Sequence, residues 1–257
     1  MTERTETHQI DPGAHILVSL HAGDVRFKQG DAGQVVVSME GSPDALDTID
    51  VDATTEAIAV TSTVRKRRWF GIGSVDMVVT VPPACDVSVR LGSGDLFISS
   101  PVNDLEVSTG SGDVRVEDVA GTADLKVGSG DMRVGSIGGT AKLSSASGDV
   151  RVDDATEVTV STAAGDLFLG EVSEIATIKS ATGDIRIRRF AGSDLEIRTM
   201  SGDVTIGLIS GVVVNAAIKT MSGDFRNRIK PSSGEKTATM NLTVTSFSGD
   251  VTLRSAK

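Results

Sequence analysis

The 257-residue chain is long enough for one large β domain or two smaller ones, and either size buries a substantial core. Its 28 glycines, the absence of tyrosine and regular segments rich in Val, Ile, Thr and Ser favour short strands and tight turns over helices. A formal charge of −10 argues against nucleic acid as a partner, and the single Cys85 excludes an intrachain disulfide framework and a cysteine-rich zinc site.

Residues 1–11 read as a polar N-terminal tail, without the basic segment and apolar stretch of a secretory signal. No window of the chain reaches the roughly 18 apolar residues that a membrane-spanning helix requires. The expectation is a soluble cytoplasmic protein.

Residues 12–86 read as an N-terminal β region. It opens with ILVSLHAGDVRF from Ile16, in which alternating apolar residues flank a Gly-Asp pair. Alternating runs around Val35–Met39, Ile58–Val64 and Val75–Val81 follow, separated by turn-rich linkers, and these are expected to cap one end of a stack. Between the last two runs lies VRKRRWFGIG, a hairpin tip holding Arg65, Lys66, Arg67, Arg68, Trp69 and Phe70. Cations beside exposed aromatics suit contact with a protein partner or an anionic headgroup. A second reading stays open, in which Trp69 and Phe70 fold back to plug the end of the stack.

Residues 87–257 carry the repeat, and the whole is read as one continuous domain. Gly-Asp pairs end at Asp24, Asp95, Asp113, Asp131, Asp149, Asp166, Asp184, Asp203, Asp224 and Asp250. From Asp95 to Asp203 the steps are 17 to 19 residues, and they then lengthen to 21 and 26. Apolar residues fall eight and six positions before each of these Asp residues and one after it, so each repeat offers two short strands with alternate side chains inward. A period near 20 signals a solenoid, here an all-β, right-handed, single-stranded parallel β-helix of about 18-residue coils, with the left-handed β-helix as alternative. At the corners, Gly94, Gly112, Gly130 and Gly148 suit a positive φ, and Asp95, Asp113, Asp131 and Asp149 suit an Asx-type turn. Two residues after the Asp stand Arg26, Arg115, Arg133, Arg151, Arg186 and Arg226, a surface ladder able to pair with the Asp column or to meet an anionic polymer. The chain stops four residues after Leu253, so an exposed C-terminal coil edge is expected to support a homo-oligomer.

From Ile16 to Leu253 these repeated Ser-Gly-Asp words resemble the bacterial candidate-adhesin domain family of unknown function, whose members form right-handed parallel β-helices. The resemblance implies a non-enzymatic, adhesin-like scaffold for protein interaction or assembly, and it carries no catalytic residues across. Two alternatives remain: a carbohydrate-active enzyme using paired repeat aspartates, and a peripheral binder of anionic membrane through residues 65–70. The acids recur in every coil, whereas a catalytic pair should break the repeat. No cofactor fingerprint is present, and one Asp per coil with His8, His15 and His21 confined to the start gives no metal set.

Overall fold

A computed structural model describes residues 2–63, 73–229 and 238–256. Its two compact units are Met1–Gly130 and Asp131–Lys257. About three quarters of the described residues are strand, and only one short helical turn accompanies them.

The first unit comprises β1 (Thr2–Gln9), β2 (His15–Ala22), β3 (Val25–Gln29), β4 (Gln34–Gly41), the one-turn α1 (Pro43–Leu46), β5 (Ile49–Ala53), β6 (Ala57–Ser62), β7 (Val75–Val81), β8 (Cys85–Ser93), β9 (Leu96–Ile98), β10 (Val102–Ser111), β11 (Val114–Val119) and β12 (Ala123–Ser129). Before the Gly-Asp corner, the parallel order is β6–β2–β8–β10–β12. After the corner it is β7–β3–β9–β11, with Met77, Val25, Leu96 and Val114 aligned. Beyond β7 the pairing turns antiparallel, β4 on β7 and β1 on β4, and β5 lies antiparallel on β6. The segment expected as a tail is thus edge strand β1, whose Glu3, Arg4 and Glu6 keep the edge charged against further pairing.

The second unit comprises β13 (Met132–Ser147), β14 (Val150–Ala164), β15 (Leu167–Thr182), β16 (Ile185–Phe190), β17 (Asp194–Ser201), β18 (Val204–Leu208), β19 (Val212–Ser222), β20 (Phe225–Arg228), β21 (Ala238–Ser248) and β22 (Val251–Ser255). Every strand pairing within it is parallel. The spatial order departs from the chain order at its end: β21 lies between β17 and β19, and β22 between β18 and β20. The C-terminal coil is therefore interior, which corrects the expectation that it forms the edge. The outermost described strands are β19 and β20. Side chains decide this order: Leu242, Val244, Val251 and Leu253 are apolar at every inward position and become buried, whereas the 212–228 repeat has Ala216 and Asn227 at such positions and stays exposed. The first unit uses the same device, since the Asp24 repeat lies between β6–β7 and β8–β9.

Alternation builds the core. Ile16, Val18, Val25 and Phe27 are buried in the first unit, and Val160, Ile178, Ile197, Leu169, Ile187 and Ile206 in the second. Each such side chain contributes about 1.5–3 kcal/mol, which offsets ordering costs only when rungs stack. At the corner, Gly165, Gly183 and Gly202 hold φ near +120°, and a Cβ on any of them would lie 2.0–2.2 Å from the carbonyl oxygen of the corner glycine one rung away. No other residue fits that stack.

The aspartates use a longer reach than an Asx turn. Along the ladder a corner carboxylate accepts the backbone N–H of the Asp one rung away: Asp24 Oδ1 from Asp95 at 3.0 Å, Asp149 Oδ1 from Asp166 at 2.8 Å and Asp166 Oδ1 from Asp184 at 2.9 Å. In the second unit the ladder then runs Asp203, Asp250, Asp224, following space and not sequence. Asp76 supplies the outermost rung of the first unit, accepting from Asp24 N at 3.0 Å. Inside the corner, Thr109, Thr162, Ser180 and Thr199 turn their hydroxyls to the carbonyl two residues ahead.

Candidate functional site

The strand that leaves each corner points its first and third residues inward and its second outward, so the outward residue of every rung joins one column. In the first unit that column aligns Arg26, Phe97 and Arg115, beside Asp24, Asp95 and Asp113. In the second it aligns Arg133, Arg151, Phe168 and Arg186, then Thr205, Thr252 and Arg226. A shallow groove runs along Arg133, Arg151, Phe168 and Arg186, bordered by Asp149, Asp166 and Asp184.

Ion pairing uses part of this column. Arg133 reaches its own corner Asp131 at 3.1 Å, Arg26 approaches Asp24 at 3.7 Å, and Arg226 bridges Asp224 at 3.1 Å and Asp250 at 2.8 Å. Arg151 departs from the expected pairing: it bonds Asp153 at 2.6 Å and lies over the Phe168 ring, 4.3 Å from its centroid. Among the described residues Arg115 and Arg186 make no ion pair. These exposed pairs add little stability, so the column is free to exchange partners.

The corner residues Gly94, Asp95, Gly112, Asp113, Gly130, Asp131, Gly148 and Asp149 all take the positions expected of turn residues, with φ between +122° and +133° at the four glycines. The tip residues Arg65, Lys66, Arg67, Arg68, Trp69 and Phe70 lie outside the described residues. Sequence reasoning missed Phe97 and Phe168, which occupy the arginine position in two repeats and are visible there once the column is counted from the Asp.

Other chemistry is sparse. His8 contacts Glu6, His15 contacts Ser88 Oγ at 2.8 Å and His21 contacts Ser62 Oγ at 2.6 Å, and no cluster of three metal-ligating side chains occurs among the described residues. Cys85 is buried, and its thiol pKa is pushed up by that burial and by Asp86. Asp104 has its pKa lowered because it accepts the Thr122 N–H at 2.7 Å and the Thr122 hydroxyl at 2.9 Å. Among the described residues no helix is long and apolar enough to cross a membrane.

Among solved structures, a candidate adhesin from Parabacteroides distasonis shares the fold at 12% identity and a TM-score of 0.50, with 97% of each chain covered. A candidate lipid-binding protein from the same species matches at 15% identity and TM-score 0.47, covering 95% of this chain and 96% of the other. A candidate adhesin from Bacteroides fragilis matches at 13% identity and TM-score 0.40, covering 98% and 97%. No curated protein matches the sequence. The Toastrack DUF4097 family signature spans residues 14–254, nearly the whole chain, and the protein belongs to that family.

Proposed function

We propose that the protein is a non-enzymatic, adhesin-like β-solenoid, wound right-handed in coils of about 18 residues, that serves as an interaction scaffold. Its contact face is the outward column of the second unit, Arg133, Arg151, Phe168 and Arg186. One observation carries this reading: an exposed rank of arginines, with Phe168 interleaved and Arg151 stacked on it, repeats at strand spacing along a rigid sheet. Arginine and aromatic side chains concentrate at protein interfaces because they bury large area and bond in fixed geometry.

The neighbouring carboxylates favour a protein partner over a polyanion, since Asp149, Asp166 and Asp184 would repel a chain of uniform negative charge. The same carboxylates speak against catalysis. Every one of them is tied into the rung-to-rung bond, so no pair is set apart to act as acid and nucleophile.

The test compares partners recovered from native lysate by the intact protein, by R133S/R151S/R186S, and by a variant with residues 65–70 replaced by Gly and Ser. Loss of the partner in the first variant alone is the expected result. Retention there with loss in the second would move the contact face to the 65–70 tip.

A further inference from the structure

We infer that the protein also self-associates, through an apolar ridge at one corner of the second unit that is built by the crossing of its C-terminal coil. The residue three before each corner Asp in the second unit is exposed or half-buried at the corner. In the repeats of Asp149, Asp166 and Asp184 it is small: Ala146, Ala163 and Ala181. In the last three rungs it is Met200, Phe247 and Met221, which are 63%, 57% and 77% exposed.

The pairs Thr199↔Ser246, Ser201↔Ser248, Thr220↔Ser246 and Ser222↔Ser248 bracket these three residues and place them side by side, with Phe247 in the middle. In sequence they are scattered; only the insertion of β21 between β17 and β19 unites them. Neighbouring strands lie about 4.8 Å apart, so the side chains form one continuous ridge. Contiguous exposed apolar side chains mark contact sites, and methionine adapts its shape to a facing surface.

The flanks name the occupant. Two residues before the ridge, on the same outward face, stand Arg198, Thr245 and Lys219, with Lys179 one rung further. Three residues after it stand Asp203, Asp250 and Asp224. Glu196 pairs with Arg198 on the first flank and Arg226 bridges Asp224 and Asp250 on the second, so the ridge has a net positive charge along one side and a net negative charge along the other. An acidic peptide or an anionic bilayer satisfies the first flank and is repelled by the second. A second copy of this chain, turned by a two-fold axis parallel to the ridge, satisfies both: Met200, Phe247 and Met221 meet their own counterparts, Arg198 faces the partner's Asp203, and Lys219 faces the partner's Asp224. Such an isologous contact closes on itself and stops at a dimer. The ridge is small against the ~800 Å² per partner of a standard interface, so the dimer is weak and its population follows concentration.

The test is the mass of the full chain in solution across a concentration series. The wild type is expected to shift from monomer to dimer as concentration rises, and Phe247→Ser to weaken that shift at least about tenfold. Lys219→Glu and Asp224→Lys should each weaken it by about tenfold alone, because each sets like charges face to face. Mixing these two variants should restore the dimer, since the carboxylate introduced at position 219 of one chain then faces the ammonium introduced at position 224 of the other. Asp224 is the last rung and donates its N–H to Asp250 without its carboxylate accepting a further backbone N–H of the ladder among the described residues, so Asp224→Lys leaves the ladder intact and gives up only the exposed Arg226 pair, with Arg226 still held by Asp250 at 2.8 Å. A wild type that stays monomeric throughout, or a mixture no more dimeric than its components, overturns the inference.

Discussion

Replacing Gly183 by Ala isolates the reason for glycine at the corner. The new Cβ would sit 2.0 Å from Gly165 O and 2.6 Å from Gly165 C, at a φ of +121°. The backbone conformation alone costs about 1–2 kcal/mol for an L side chain. Relief of the contact requires the two rungs to separate by an ångström or so, which stretches the bonds from Asp184 N to Asp166 Oδ1 (2.9 Å) and from Leu167 N to Asp184 O (2.8 Å). With about 1 kcal/mol or more lost at each, the total reaches about 3–5 kcal/mol. Gly211 is the control within the same unit: its φ is +82°, and a Cβ there meets nothing within 4 Å, so Gly211→Ala should cost only about 1 kcal/mol. Urea unfolding followed by circular dichroism reads both, and at about 1–3 kcal/mol per molar the Gly183 variant should lose a molar or more in midpoint. Equal midpoints for the two variants would refute the stacked-carbonyl account of the Gly-Asp repeat.

Asp166→Ala strips the acceptor from Asp184 N and should cost about 1–3 kcal/mol, whereas Asp166→Asn keeps a side-chain oxygen and should cost less; equal losses in urea would contradict the ladder bond. Cys85 should react with a thiol reagent only as fast as the protein unfolds, because it is buried and its pKa is raised; rapid labelling of the native protein would contradict this. Asp104 has a folded pKa below its unfolded one, so its contribution is present above the unfolded pKa and is lost as pH falls through the folded pKa. A carboxyl NMR titration should place its midpoint below an ordinary aspartate, and Thr122→Val should raise the midpoint only part of the way, since the backbone bond remains.

Much of the architecture was legible because one residue type does one job per repeat. Gly-Asp marked every corner except that of Asp76, where Val75 stands in the glycine position; that rung is the outermost of the parallel set, and its neighbour Gly23 is the one that must yield space to Val75 O. The chain's detours were harder to read. The step of 71 residues from Asp24 to Asp95 and the steps of 21 and 26 at the other end record an outer rung being built before the chain returns beneath it. A signal for the second detour was present: Asn227 stands three after Asp224, where Ile206 and Leu253 stand in the rungs now seen beneath it. A polar residue tolerates that inward position only where no further rung covers it. The target of the Asp carboxylates was not legible, since a local turn and a rung-to-rung bond need the same residue. The Met200–Phe247–Met221 ridge was equally hidden, because periodicity gives the position of each residue in its coil and says nothing of which coils are neighbours.

Hydrogen exchange on the protein with its recovered partner tests the interaction face most directly. Protection centred on residues 132–134, 150–152, 167–169 and 185–187 is the predicted result, because these strands carry Arg133, Arg151, Phe168 and Arg186. Protection confined to residues 64–72, with those four strands unchanged, would contradict the assignment of the arginine–phenylalanine column as the contact face.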